Sequence, residues 1–212
     1  MTQPPSSKSA ADRETGKHQV DEQRAIILDA AEKLFLQNGL ENTNMVDIAR
    51  QAGITRVTLY RYFANRDEIA VEIQMRMFKK IASAVPEVPP GEMTLESHRR
   101  RAQITIRSFP QLRDAYRYIG MFDKIYLDND SNSALTQWTL DRLRRGRPPR
   151  QPLPNPSFYK KELPVIVSTI TWFLEKLALR GELTWSDPDI PLEEHLKFFE
   201  EMIMRAFDQL EE

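Results

Sequence analysis

Apolar residues recur at three- and four-residue steps along most of the chain, and no segment alternates apolar and polar with the period of a strand. This pattern predicts an all-α protein. Ile27, Ala30, Ala31, Leu34 and Phe35 mark one face of a first helix that runs to about Asn38 and stops at Gly39. Asn44 is placed to cap a short second helix. Asp47 stands three residues on, in a variant of the capping box, and Val46, Ile48 and Ala49 supply the apolar side. Gly53 sits where that helix ends, at a position that often needs φ > 0. Ile54 plugs the space beside it, and Thr55 is a good N-cap for a third helix over about Thr55 to Phe63 that buries Leu59 and Phe63. Asn65 and Glu68 repeat the capping pattern ahead of a fourth helix with Ile69, Ile73 and Met77 on one face. No proline occurs between Ser6 and Val85, in keeping with an unbroken helical module.

A break, VPEVPPGE, separates this module from a second set of helical patterns. Leu95, His98, Ala102, Thr105, Ile106 and Phe109 form one stripe, which Pro110 interrupts. Leu112, Tyr116, Ile119, Phe122 and Tyr126 form the next, and Leu135, Trp138 and Leu143 another. The stretch RPPRQPLPNPSF carries five prolines and reads as an extended loop. Two long helices follow. The first carries Leu163, Ile166, Val167, Ile170, Phe173, Leu174 and Leu177 and closes at Gly181; the second starts near Pro191 with Leu192, Leu196, Phe199, Ile203, Phe207 and Leu210.

Composition narrows the classes. The chain has 212 residues and 41% apolar content, enough for a sizeable core. It has no cysteine, which excludes disulfides and thiolate chemistry and fits a reducing compartment. No apolar stretch reaches membrane-spanning length, and the N-terminus lacks a signal-peptide core, so the expectation is a cytoplasmic protein with no membrane partner. His18, His98 and His195 are scattered without carboxylates at ligand spacing, so no metal and no cofactor is expected. Without a Gly-rich phosphate loop, a nucleophile motif or a Cys-His pair, nothing points to an enzyme. The net charge of −1 gives no global attraction to nucleic acid, but from Gly53 to Arg66 there are three arginines and no acid.

That local asymmetry lies in AGITRVTLYRYFANRDEI, which reads as a tight helix-turn-helix offering arginine, hydroxyl and tyrosine side chains to DNA. The longer run ILDAAEKLFLQNGLENTNMVDIARQAGITRVTLYRYFANRDEI resembles the DNA-binding domain of the TetR family of transcriptional regulators. Its most specific parts are the IA-xx-AG turn, the LYRYF helix and the polar cap into the fourth helix. It departs from the family pattern in three places. Asn44 stands where a second Thr or Ser is usual, Arg66-Asp67 where Lys-Glu is common, and Arg56-Val57 in place of Lys-Gly or Arg-Gly.

A recognition helix enters the major groove with its N-terminal residues against base edges. On that footing the DNA-facing set is Thr43, Asn44, Thr55, Arg56, Val57, Thr58, Tyr60, Arg61, Tyr62 and Arg66. Arg56 is the candidate for bidentate guanine contact, and Val57 or Thr58 for a thymine methyl. Tyr60, Tyr62 and Arg66 are expected on phosphates, and Thr43 and Asn44 on the DNA backbone at a helix start.

The resemblance further implies a homodimeric repressor on double-stranded DNA with a palindromic operator, released by a small-molecule effector in the C-terminal helices. The last two helices are the expected dimer surface, through Ile166, Ile170, Phe173, Leu177, Leu196, Phe199, Ile203 and Phe207. Trp172 and Phe173 point about 100° apart, which puts apolar character on more than one face. For the effector, the aromatic residues Phe109, Tyr116, Phe122, Tyr126, Trp138 and Trp172 are the candidate lining. The alternative is a ligand-independent DNA-binding dimer whose C-terminal domain binds a protein through the Pro-rich loop. The expected layout is an unstructured tail over 1–20, a helix-turn-helix DNA-binding domain over 21–83, and a larger C-terminal helical regulatory and dimerisation domain over 92–212 with the Pro-rich loop at 147–157.

Overall fold

A computed structural model describes residues 10–85, 94–126, 158–179 and 189–209. Among them are eight helices and no strand: α1 (Ala10–Asn38), α2 (Met45–Gln51), α3 (Arg56–Tyr62), α4 (Arg66–Ala84), α5 (Leu95–Arg107), α6 (Phe109–Tyr126), α7 (Phe158–Ala178) and α8 (Leu192–Asp208). None of these helices is long and apolar enough to cross a membrane. The helix expected around Leu135, Trp138 and Leu143, and the loop at 147–157, lie outside the described residues.

The chain divides into two compact units, Met1–Ile73 and Gln74–Glu212. The division falls inside α4, ten residues ahead of the end expected for the first domain at 83. The cause lies in the partners of the second half of α4. Gln74 Nε2 donates to Asp123 Oδ1 on α6 at 3.2 Å, and Ile81 packs against the core of the second unit.

In the first unit, α1 buries Ile27, Leu28, Ala30, Ala31 and Phe35. It also begins at Ala10, so the tail expected to be unstructured to residue 20 is helical over its second half. Thr15 and residues 17–20 are exposed on it. Burial of these side chains therefore does not hold the helix here. The extension continues a helix already nucleated downstream, where each added residue makes one more hydrogen bond. Ile48 and Ala49 on α2 and Leu59 on α3 complete the small core with Phe63.

Two glycines make the turns possible. Gly39 has φ +84° and donates to Phe35 O at 2.9 Å, which ends α1. Gly53 has φ +68°; it donates to Arg50 O at 3.2 Å while Ile54 N donates to Ala49 O at 3.0 Å, a Schellman closure of α2. A Cβ on Gly53 would meet nothing within 4 Å. Gly53→Ala should therefore cost only the backbone penalty of the left-handed region, about 1–2 kcal/mol. Chemical denaturation of the variant measures it. No loss of stability would mean that the turn relaxes to another conformation.

In the second unit, Thr94 caps α5 in a reciprocal capping box with Ser97, and Pro110 falls in the first turn of α6. Helix α6 packs along α7, and α5 along α8. The core gathers Ala102, Ile106, Phe109, Leu112, Tyr116, Ile166, Ile170, Leu174, Leu177, Ala178, Leu196, Phe199, Ile203 and Phe207. Phe173 stacks on Phe199 with ring centroids 3.8 Å apart. At the edge of this core, Glu200 on α8 accepts from Gln103 Nε2 at 2.8 Å and from Arg107 Nη2 at 2.7 Å. The Arg107 guanidinium holds the Glu200 carboxyl below the usual carboxylate range.

This packing bears on the residues expected at a dimer surface. Ile166, Ile170, Leu177, Leu196, Phe199, Ile203 and Phe207 are buried in the unit's own core, with Phe173 half-buried against it. Among the described residues, the large apolar side chains that α7 and α8 leave exposed include Val165, Val167, Trp172, Phe198 and Met202.

Candidate nucleic-acid interface

Short polar caps set the helix-turn-helix geometry. Asn44 Oδ1 accepts from Val46 N at 2.9 Å and Asp47 N at 3.1 Å, so Asn44 caps α2 in place of the family's usual hydroxyl residue. Asp47 does not complete the box; its Oδ1 accepts from Arg50 Nη2 at 2.6 Å. Thr55 Oγ1 accepts from Thr58 N at 3.1 Å and caps α3. Asn65 Oδ1 accepts from Glu68 N at 2.9 Å, while Glu68 Oε2 reaches back to Ala64 N at 2.9 Å. Leu59 and Phe63, buried at i and i+4, fix which face of α3 turns inward.

The outward face of α3 carries Arg56, Val57, Tyr60 and Arg61, all exposed; Val57 is 75% exposed. Among the described residues, the Arg56 guanidinium makes no ion pair or hydrogen bond. Thr58 is partly buried and its hydroxyl pairs with that of Thr55 at 2.9 Å. Tyr62 is half-buried, as its position two residues beyond Tyr60 requires: 200° of helix separates them. The outer surface between α2 and α3 forms an open cleft of about 630 Å³, lined by Thr43, Asn44, Met45, Val46, Asp47, Arg56, Tyr60 and Arg66.

Two expected DNA contacts are engaged within the protein. Thr43 is 1% exposed, and its hydroxyl donates to Gly39 O at 2.9 Å, so it staples the loop between α1 and α2. Arg66 Nη1 donates to Leu40 O at 3.0 Å, Glu41 O at 3.3 Å and Thr43 O at 3.5 Å. The guanidinium thus joins three main-chain carbonyls of the loop between α1 and α2, of which Leu40 O also accepts from Thr43 N at 3.4 Å. Arg66 braces the loop, and it also lines the outer cleft.

Sequence reasoning missed Val46. The sequence pattern groups it with Ile48 and Ala49 on the apolar side of α2, yet it is 45% exposed and lines the cleft beside Arg56. Its spacing from Ile48 held the signal, because two residues on a helix point nearly opposite ways. Of the candidate effector residues, Phe109, Tyr116, Phe122 and Tyr126 are buried on α6, with Phe122 and Tyr126 stacked at 4.5 Å. Burial, with the Glu175 charge behind it, raises the Tyr116 phenol above its usual range. Trp172 does not join them: it is 55% exposed, because Phe173 beside it takes the inward direction. Trp138 lies outside the described residues.

Residues 27–73 match the family described as bacterial regulatory proteins, tetR family. The HTH-type transcriptional regulator TtgR of Pseudomonas putida is 42% identical over 53 residues, 25% of each chain. The HTH-type transcriptional regulator AcrR of Shigella flexneri is 39% identical over 57 residues, 27% of this chain and 26% of that one. The matched segment thus spans about a quarter of the length of these relatives. The solved structure of a putative TetR-family transcriptional regulator from Syntrophomonas wolfei superposes with a TM-score of 0.56 at 21% identity, covering 90% of this chain and 95% of that chain; it shows a likeness of fold. The capped turn at Gly53, the short helix behind Thr55 and the matched run agree: residues 27–73 form a helix-turn-helix segment that matches the TetR family of bacterial regulatory proteins.

Proposed function

We propose that the protein is a sequence-specific, DNA-binding transcriptional regulator, a homodimeric repressor that leaves a palindromic operator when a small molecule binds its C-terminal unit. The observation that carries this reading is the outward row of α3, in which a partner-free Arg56 stands beside an exposed Val57 and Tyr60. Arg56 suits the paired acceptors of guanine, and Val57 a thymine methyl. Tyr60 and Arg61 suit phosphates, which hold register without reading sequence. Asn44, at the α2 start, lies where backbone N–H groups favour an anion.

One recognition helix spans few base pairs, so affinity comes from pairing two copies on a two-fold site. Trp172 on α7 and Phe198 and Met202 on α8 are the residues we assign to that pairing, in place of the core residues of the same helices. Exposed aromatic and methionine side chains are enriched at interfaces. For the effector, the buried aromatic residues of α6 supply an apolar lining, and Tyr116, kept neutral, supplies a hydroxyl. A ligand bound better by the DNA-free arrangement shifts the population away from the operator by its differential affinity.

In vitro selection from a genomic DNA pool at fixed salt tests the reading; an enriched palindrome is expected, and no enrichment by the folded protein would sink it. On the selected site, Arg56→Ala should cost about 1–3 kcal/mol and relax preference at one base pair. Equal weakening on every operator variant would make Arg56 a phosphate contact instead.

A further inference from the structure

We infer that Arg24, on α1, is a positioning residue that sets the angle of the recognition helix, and so acts on DNA reading without touching DNA. The inference rests on the DNA-binding reading above. Arg24 Nη1 donates to the main-chain carbonyl of Tyr62, the last residue of α3, at 2.8 Å. Its Nη2 pairs with the Glu72 carboxylate on α4. Its guanidinium carbon lies 4.2 Å from the centroid of the Phe63 ring. One side chain therefore ties the start of the packed part of α1 to the end of α3 and to the first turns of α4.

The physical need is clear from the length of α3. It has seven residues, too few to hold itself helical or to fix its own direction. Thr55 secures its N-terminus, and Leu59 anchors its middle. Its C-terminal carbonyls lack helical donors and carry the negative end of the helix dipole. Arg24 supplies a charged donor there. It is a fork that donates in two directions while stacking flat on an aromatic ring, a combination that lysine cannot reproduce. The Arg24 side chain is 29% exposed and its two terminal nitrogens face protein acceptors.

Three variants of the full-length protein test this on the selected operator: Arg24→Met, Arg24→Lys and Glu72→Gln. Binding is measured from about 50 to 200 mM salt, well below the melting temperature and normalised to active protein. Arg24→Met and Arg24→Lys should each bind about tenfold more weakly, the equivalent of one hydrogen bond to a charged group. Their preference for the operator over single-base variants should shrink, while the slope of log affinity against log salt stays that of the parent. Glu72→Gln should move affinity and discrimination the same way by less, and it keeps the test alive if the Arg24 variants fold poorly. A slope lower by about 0.9 per half-site with discrimination intact would make Arg24 a phosphate contact and overturn the inference. So would Arg24→Lys binding like the parent, or a lower melting temperature with unchanged affinity and discrimination in the folded fraction. Failure of the parent to select any DNA would instead strike the underlying reading.

Discussion

Phe199→Ala should destabilise the protein by about 3–5 kcal/mol, the cost of emptying a large buried ring site. Phe199 is 1% exposed, and it stacks on Phe173 at 3.8 Å in the core that joins α5, α7 and α8. Urea denaturation at fixed protein concentration measures the loss. A cost below about 1.5 kcal/mol would mean that the site collapses around the cavity, as volume-conserving repacking does. Its neighbour Phe198 should behave in the opposite way. It is 71% exposed and lines a shallow groove on α8 with Met202 and Arg205. Phe198→Glu should leave helical content intact but split the proposed dimer, read as a fall to monomer mass in sedimentation velocity. An unchanged dimer mass would remove this face of α8 from the interface.

Phe63→Ala should destabilise the first unit by about 3–5 kcal/mol as well. Phe63 is 1% exposed, it is the C-cap residue of α3, and its ring carries the Arg24 guanidinium. Truncation removes core volume and the platform for the clasp together. Hydrogen exchange resolves where the loss falls: amides of α1 to α3 should lose protection, while those of α5 and α8 keep theirs. Equal loss in both sets would show that the two units open as one.

The helix-turn-helix was legible because its signals are local. Gly53, Thr55, Leu59 and Phe63 act within one or two turns, and a cap or a left-handed glycine is written at a single position. The roles of Thr43 and Arg66 were not legible. Both are polar residues in polar stretches, and nothing at positions 43 or 66 announces that the carbonyls of residues 39 to 43 point toward them. Arg24 was hidden for the same reason, since its partners lie 38 and 48 residues away. Val46 differs from Ile48 in phase: both are apolar, but two positions along a helix turn them to nearly opposite sides.

The chain's own pattern determined the helices, the turn chemistry and the inward face of α3, because spacing and caps depend on residues a few positions apart. Tertiary structure alone decided which face of α7 and α8 is core, leaving Trp172 and Phe198 outside and Phe173 and Phe199 within. Both faces of these helices carry large apolar side chains, so burial went to the face that met α5 and α6, and no periodicity within one helix records what another helix will cover.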